Sequence, residues 1–150
     1  MTTAYTDNYS RSAVYGKKGY PGFQGNEKIS ILETYEALAL ASGSTIYMFI
    51  PPAGAKYVGG KLAWDDLGTG VSLAVGTGVT GAGVAADTTK FLGATDAASA
   101  ADEAVLDAGA AEITVLGYEF DGVTPVIITT SAGGAGTGTI KLLMDFMLAF

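Results

Sequence analysis

The final stretch of the chain, Thr139–Phe150, alternates so that Ile140, Leu142, Met144, Phe146 and Leu148 fall on one side of an extended strand. The intervening positions include Leu143, Met147 and Ala149, so both sides are largely apolar and the pattern predicts a central strand or one covered by a neighbouring subunit. The same two-residue period recurs upstream. In Lys28–Ala37, Ile29 and Ile31 alternate with Lys28 and Ser30, and in Ser44–Ile50, Ile46, Met48 and Ile50 oppose Tyr47 and Phe49 in a run apolar enough for burial on both faces. Pro51-Pro52-Ala53-Gly54 ends that strand, because proline has no N–H for the ladder and glycine admits the turn. Lys56–Asp65 follows, with a bulge or crossing point expected at Gly59-Gly60, and then Gly70–Val75, where Val71, Leu73 and Val75 alternate with Ser72 and Ala74.

Ile113–Phe120 and Val123–Thr130 flank Asp121-Gly122, a pair suited to the two positive-φ positions of a type I′ turn, so a two-residue hairpin is expected there. Between the two strand-rich regions, Gly76–Ala111 is dominated by Ala, Gly, Thr and Asp. It reads mainly as loop, with short strands at Thr88–Leu92 and near Ala104–Leu106; a helical turn or two over Thr95–Leu106, capped by Thr95 or Asp96, is the alternative. Strands at intervals of roughly 8–12 residues separated by turn signals describe an all-β protein. The expected fold is an antiparallel β-sandwich of jelly-roll or Greek-key type, formed by residues 28–150 as a single domain.

Residues 1–27 follow neither period. They hold Tyr5, Tyr9, Tyr15 and Tyr20 among Ser, Gly, Asn and Lys and end in Gly-Tyr-Pro-Gly-Phe-Gln-Gly, which suggests an extended N-terminal arm ordered by laying its rings on a surface. That surface is either the chain's own core or a neighbouring subunit. The arm has three cations against two acids, a net +1, whereas residues 28–150 have five lysines against thirteen acids, a net −8. The candidate partner-binding residues are therefore Tyr5, Tyr9, Arg11, Tyr15, Lys17, Lys18, Tyr20 and Phe23, which combine aromatic contact area with positive charge.

Composition limits the chemistry. The 150 residues include no histidine and no cysteine, which removes imidazole bases, thiol nucleophiles, thiolate zinc sites and disulfides. No enzyme activity, cofactor or metal is expected, and packing, strand pairing or neighbouring subunits must hold the fold. The acidic body argues against nucleic-acid binding. The absence of cysteine fits an intracellular assembly compartment; the polar start, MTTAYTDNYS, has no apolar run of a signal peptide, and no apolar stretch is long enough for a membrane span.

Three motifs invite a chemical reading. Gly76-Thr77-Gly78-Val79-Thr80-Gly81 spells GxGxxG after a strand, with Asp96 about 20 residues on, but no amphipathic helix or second βαβ unit follows as a dinucleotide site requires. Gly133-Gly134-Ala135-Gly136-Thr137-Gly138 lacks the lysine of a phosphate loop. Asp65-Asp66, with Glu33 or Glu36 nearby, offers a calcium site or carboxylate dyad, although adjacent strand residues face opposite ways and turn capping is the commoner role of such a pair. Trp64 with Tyr57 offers a sugar-stacking platform, or core packing.

The order Ile46-Tyr47-Met48-Phe49-Ile50-Pro51-Pro52-Ala53-Gly54-Ala55-Lys56, then Gly60-Lys61-Leu62-Ala63-Trp64-Asp65-Asp66-Leu67-Gly68 and Gly70-Val71-Ser72-Leu73-Ala74-Val75-Gly76, resembles small structural proteins of tailed bacteriophage particles. The likeness continues through Lys90-Phe91-Leu92-Gly93-Ala94-Thr95 and from Thr124-Pro125-Val126-Ile127-Ile128-Thr129 to Gly138-Thr139-Ile140-Lys141-Leu142. Over residues 29–150 the chain is most similar to capsid decoration, or cement, proteins. The resemblance implies a β-sandwich, often a homotrimer, that binds the major capsid protein on the outside of the virion and has no active site. A carbohydrate- or receptor-binding module of a head fibre or tail, using Trp64, Tyr57 and Asp65, is the alternative.

Overall fold

The computed structural model describes residues 3–5, 27–104, 115–131 and 135–148. Among them are nine strands: β1 (Thr3–Tyr5), β2 (Glu27–Leu40), β3 (Thr45–Phe49), β4 (Ala55–Trp64), β5 (Ser72–Thr77), β6 (Asp87–Asp96), β7 (Ala101–Ala104), β8 (Val126–Ser131) and β9 (Gly136–Leu148). They form two sheets, ordered β2-β9-β4-β7 and β1-β3-β8-β5-β6. The antiparallel pairs are nested: β2 with β9, β3 with β8, β4 with β7 and β5 with β6. Successive pairs fall alternately in the two sheets, like one long hairpin folded over itself. This is a jelly roll, the first of the two topologies expected from the sequence.

The alternation in the last strand explains its central position. In β9, Ile140, Leu142, Met144 and Phe146 are completely buried, while Lys141, Leu143, Asp145 and Met147 point outward between β2 and β4. Each buried side chain of this size contributes about 1.5–3 kcal/mol, so only one register of β9 keeps the whole row inside. The expected bulge is present, since the β4–β9 register shifts between Tyr57 and Gly59.

Rings from both sheets meet in the core. Phe146 of β9 stands edge-on to Phe49 of β3 and to Phe120, with ring centroids 6.1 and 5.6 Å apart, and Tyr57 of β4 lies 4.6 Å from Phe91 of β6. Edge-to-face contacts of this kind add about 0.5–1.5 kcal/mol per pair to the gain from burial.

Two expectations need correction. Asp121-Gly122 is not a two-residue hairpin, because its flanks belong to different sheets. On one side, the Tyr57 N–H donates to the Tyr118 carbonyl (3.0 Å) and the Phe120 N–H to the Ala55 carbonyl (2.9 Å), which attaches this segment to the start of β4. On the other, β8 begins at Val126 and pairs with β3 and β5. The corner is built by the Asp121 carboxylate, which accepts the N–H groups of Val123 (2.8 Å), Thr124 (2.6 Å) and Gly81 (2.8 Å) and the Thr124 hydroxyl (2.8 Å). A side chain thus holds the backbone groups that a hairpin ladder would have used. Second, the region read mainly as loop is largely strand: β6 runs to Asp96, the Asp96 carboxylate accepts the Ala98 N–H, β7 starts at Ala101, and residues 95–104 do not take up the alternative helical turn. The region expected to be mainly loop thus contains the ten-residue β6, whose polar start at Asp87-Thr88-Thr89 is an exposed sheet edge. Within the segment expected to be an arm, Thr3–Tyr5 forms an edge strand paired in parallel with Thr45–Tyr47.

Gly122 has φ 74°, where a β-branched residue is strained. Gly122→Val should destabilise the domain by about 1–2 kcal/mol, and thermal unfolding measures this. Burial alone would raise the pKa of Asp121, but its four donors outweigh burial and lower it from 3.8 to about 2. Because the folded value is the depressed one, the associated stability is complete above roughly pH 4 and is lost as the pH falls through 2. Given the exposure of this carboxylate, it amounts to on the order of 1 kcal/mol. Asp121→Asn should flatten this part of an acid-unfolding profile, as measured by circular dichroism.

Candidate functional site

Of the residues proposed for partner binding, Tyr9, Arg11, Tyr15, Lys17, Lys18, Tyr20 and Phe23 lie outside the described residues. Tyr5 ends β1, with its backbone in register with Tyr47.

The chemical motifs resolve into structural roles. Tyr57 is completely buried and Trp64 nearly so, with the indole N–H donating to the Ser99 carbonyl at 2.9 Å, so neither offers a face to a sugar ring. Burial, reinforced by the charge of Asp145, pushes the Tyr57 phenol well above its usual range and keeps it neutral. Asp65 and Asp66 diverge. The Asp65 carboxylate accepts the Thr139 N–H at 3.0 Å, which lowers its pKa, whereas Asp66 accepts the Gly68 N–H at 2.8 Å and caps the turn after β4. Glu36 reaches the same neighbourhood by accepting the Thr139 hydroxyl at 3.1 Å. Among the described residues no group of three or more acids is placed to hold a metal ion. The shallow hollow lined by Ala63, Trp64, Asp65, Thr139 and Lys141 therefore has its carboxylate already committed to backbone.

The GxGxxG glycines are also accounted for by packing. A side chain at Gly76 would meet the backbone of Asp87 and Thr88, one at Gly78 the ring of Pro125, and one at Gly81 the carboxylate of Asp121. The first two are close strand and loop approaches, with no cradle left open for a phosphate.

What the sequence reading missed is a charged sheet face. Lys28, Lys56, Lys61 and Lys141, four of the five lysines in residues 28–150, occupy outward positions of the β2-β9-β4-β7 sheet. At its centre Leu32 is 61% exposed, in register with half-buried Leu143, which is in turn in register with Lys61. Asp145 lies among them, bound to Lys28 at 2.8 Å and to the Ser30 hydroxyl. Burial tends to raise its pKa, but these two hydrogen bonds and the lysine charge bring it below the usual carboxylate range. Each lysine falls at an unremarkable point in the sequence, and only the register of three strands brings them together.

A second exposed feature is the β5–β6 connection. Its turn is closed by hydrogen bonds from the Thr80 N–H to the Val84 carbonyl and from the Gly83 N–H to the Thr80 carbonyl, and it rests on the Asp121 corner through Gly81. Val79, Val84 and Val123 are all more than half exposed here. Asp87 follows at the base of the turn, paired at 3.8 Å with Lys90, whose ammonium also lies 4.5 Å from the centre of the Tyr118 ring.

No protein-family profile matches the chain, and no curated protein matches it. Solved structures do. A chain in the capsid of Ralstonia phage GP4 superposes with a TM-score of 0.72 at 18% identity, covering 99% of each chain. A chain in the capsid asymmetric unit of cyanophage Pam1 superposes with a TM-score of 0.61 at 20% identity, covering 89% of this chain and 94% of that one. The fold of this chain, taken nearly end to end, is one that phage capsids contain.

Proposed function

We propose that the chain is a non-enzymatic structural protein of a phage virion, a decoration or cement protein that binds the major capsid protein at the capsid surface and works as a homo-oligomer, most simply a trimer. The observation that carries this reading is the likeness to a chain in the GP4 capsid, which extends over 99% of each chain. The commitment of Tyr57, Trp64, Asp65, Asp66 and Asp121 to packing and backbone capping supports it, and disfavours the sugar-binding alternative. A protein of this kind stabilises a shell by mass action, since binding an assembled seam but not its separated parts shifts the equilibrium toward the closed particle. A seam contact of about 1,000 Å² or more is the size expected.

The test is copy number and attachment. Purified protein added to particles stripped of it should rebind at a fixed stoichiometry to the capsid protein and raise the temperature at which the particles rupture. A few copies per particle, or no rebinding, would sink the cement role. The Tyr-rich segment is proposed as the docking arm. Removing residues 1–25 should weaken rebinding, with the difference between intact and truncated protein shrinking as salt rises. Equal binding of the two proteins at every salt concentration would show the arm to be passive.

A further inference from the structure

We infer that the free edge of β2 is an interface between two copies of this chain, which pair antiparallel across a two-fold axis at Leu32 and join their sheets into one. The inference goes beyond the proposed function and does not rest on it, because a two-fold contact is separate from the ring of a trimer. Among the described residues the two sheets have four edges, and three of them are blunted. β1 is three residues long and β7 four, while β6 is interrupted by two register shifts against β5 and starts with the exposed Asp87-Thr88-Thr89. β2 is different. Its residues Glu27 to Ala37 pair with β9 without a shift and include no proline or glycine, and every second N–H and carbonyl points away from β9, where no described strand lies. A long, straight edge of this kind is a template for another strand.

The occupant follows from the order of side chains along that edge. On the outward side, Lys28, Ser30, Leu32, Thr34 and Glu36 are all exposed, Leu32 by 61%. A second copy laid antiparallel with Leu32 opposite Leu32 sets Ser30 opposite Thr34 and Lys28 opposite Glu36, each pair occurring twice by symmetry. On the inward side Ile29 comes opposite Tyr35 and Ile31 opposite Glu33. The neighbouring registers match less well. An axis at Ile31 puts Leu32 against Ser30 and Lys28 against Thr34, and an axis at Glu33 puts the two Glu33 carboxylates against each other. The end pairs are compatible with contacts already made within the chain. Lys28 holds Asp145 at 2.8 Å, yet its side chain is 58% exposed and has three donors, and Glu36 uses one carboxylate oxygen, Oε2, to accept the Thr139 hydroxyl. Affinity comes from the backbone ladder and the leucines on the axis; the end pairs set the register.

The product is a continuous sheet in which the four strands of one copy run on into the four of the other through β2. Because the same edge serves both copies, the contact closes at two and does not propagate strand by strand. A trimer built through other surfaces would have three such edges, and each would join it to another trimer.

The experiment uses the full chain, which has no cysteine, so one introduced thiol reports one position. Leu32→Cys treated with oxidised glutathione should give a disulfide-linked dimer, because directly paired Cα atoms lie about 4.5–5.5 Å apart, within disulfide reach. Thr34→Cys alone should stay unlinked, since its counterpart is four residues along the partner strand, roughly 13 Å away. Mixed with the Ser30→Cys chain, it should form the mixed dimer. Leu32→Lys sets two like charges on the axis and should weaken self-association by about tenfold or more in sedimentation. A monomeric wild-type protein, an oligomer whose mass ignores Leu32→Lys, or Thr34→Cys linking to itself as readily as Leu32→Cys would each overturn the inference. Should a variant at Leu32 fail to fold, the wild-type mass and the mixture of Ser30→Cys with Thr34→Cys decide. A monomer that rebinds stripped particles overturns this contact and leaves the virion role intact; a dimer linked as described that ignores the particles does the reverse.

Discussion

Gly76→Ala should be the most damaging single-methyl change in the molecule, costing more than about 3 kcal/mol and leaving little folded protein at body temperature. A Cβ at this position would lie 2.0 Å from the Asp87 carbonyl oxygen and within 2.7 Å of two backbone atoms of Thr88. Those atoms belong to β6, so no side chain can swing aside. Between Val75 and Thr77 the β5–β6 register advances from Leu92 to Asp87, which places the irregular part of β6 directly over Gly76. Relief would require β5 and β6 to separate, and a small domain with a total stability of about 5–15 kcal/mol cannot lose that pairing and remain folded. Gly83→Ala is the control: its φ is +78° but nothing lies within 4 Å of the new methyl, so only backbone strain of about 1–2 kcal/mol is expected. Chemical unfolding of the two variants compares them, and a Gly76→Ala protein as stable as Gly83→Ala would refute the close approach.

Phe146→Ala should cost about 3–5 kcal/mol. The ring is completely buried and meets Phe49, Tyr57 and Phe120, so its removal takes one edge from three aromatic contacts and leaves a cavity between the two sheets. Phe146→Leu keeps much of the volume and should recover part of the loss. Calorimetric melting gives both numbers. A change in Phe146→Ala no larger than that of a surface substitution would mean that the sheets are not joined at this point.

The strands that read clearly in the sequence are those with one buried face and a regular period. β9 declared itself because Ile140, Leu142, Met144, Phe146 and Leu148 are inside without exception. β6 was only half visible: Phe91 and Leu92 are buried, but Asp87-Thr88-Thr89 is held by pairing to β5, an interaction that leaves no hydrophobic signature. β1 is three residues long and paired along one edge, too short for any period. The Asp121-Gly122 corner was misread because the sequence gives the turn-forming residues but not the destination of the carboxylate, which is decided by Thr124 and by Gly81, forty residues away. Tyr57 and Trp64 illustrate the same limit. An aromatic in a strand can face core or solvent with identical local sequence, and here both face the core. The lysine face was invisible for a further reason, since its members come from three strands separated by tens of residues and become neighbours only through register.

The nesting of the strands has a consequence for how the protein is made. β9 fills the gap between β2 and β4, and the Ser30–Asp145 bond on that seam spans 115 residues of chain. While the chain is growing, β2 and β4 have been synthesised but have no strand between them, and their apolar rows have nothing to close on until Leu148 has left the ribosome. Closure of this sheet must therefore wait for β9, and pairing over such separations is slow. A ribosome that stalls short of β9 releases a fragment with no finished sheet, in which the apolar rows of β2 and β4 stay open to aggregation.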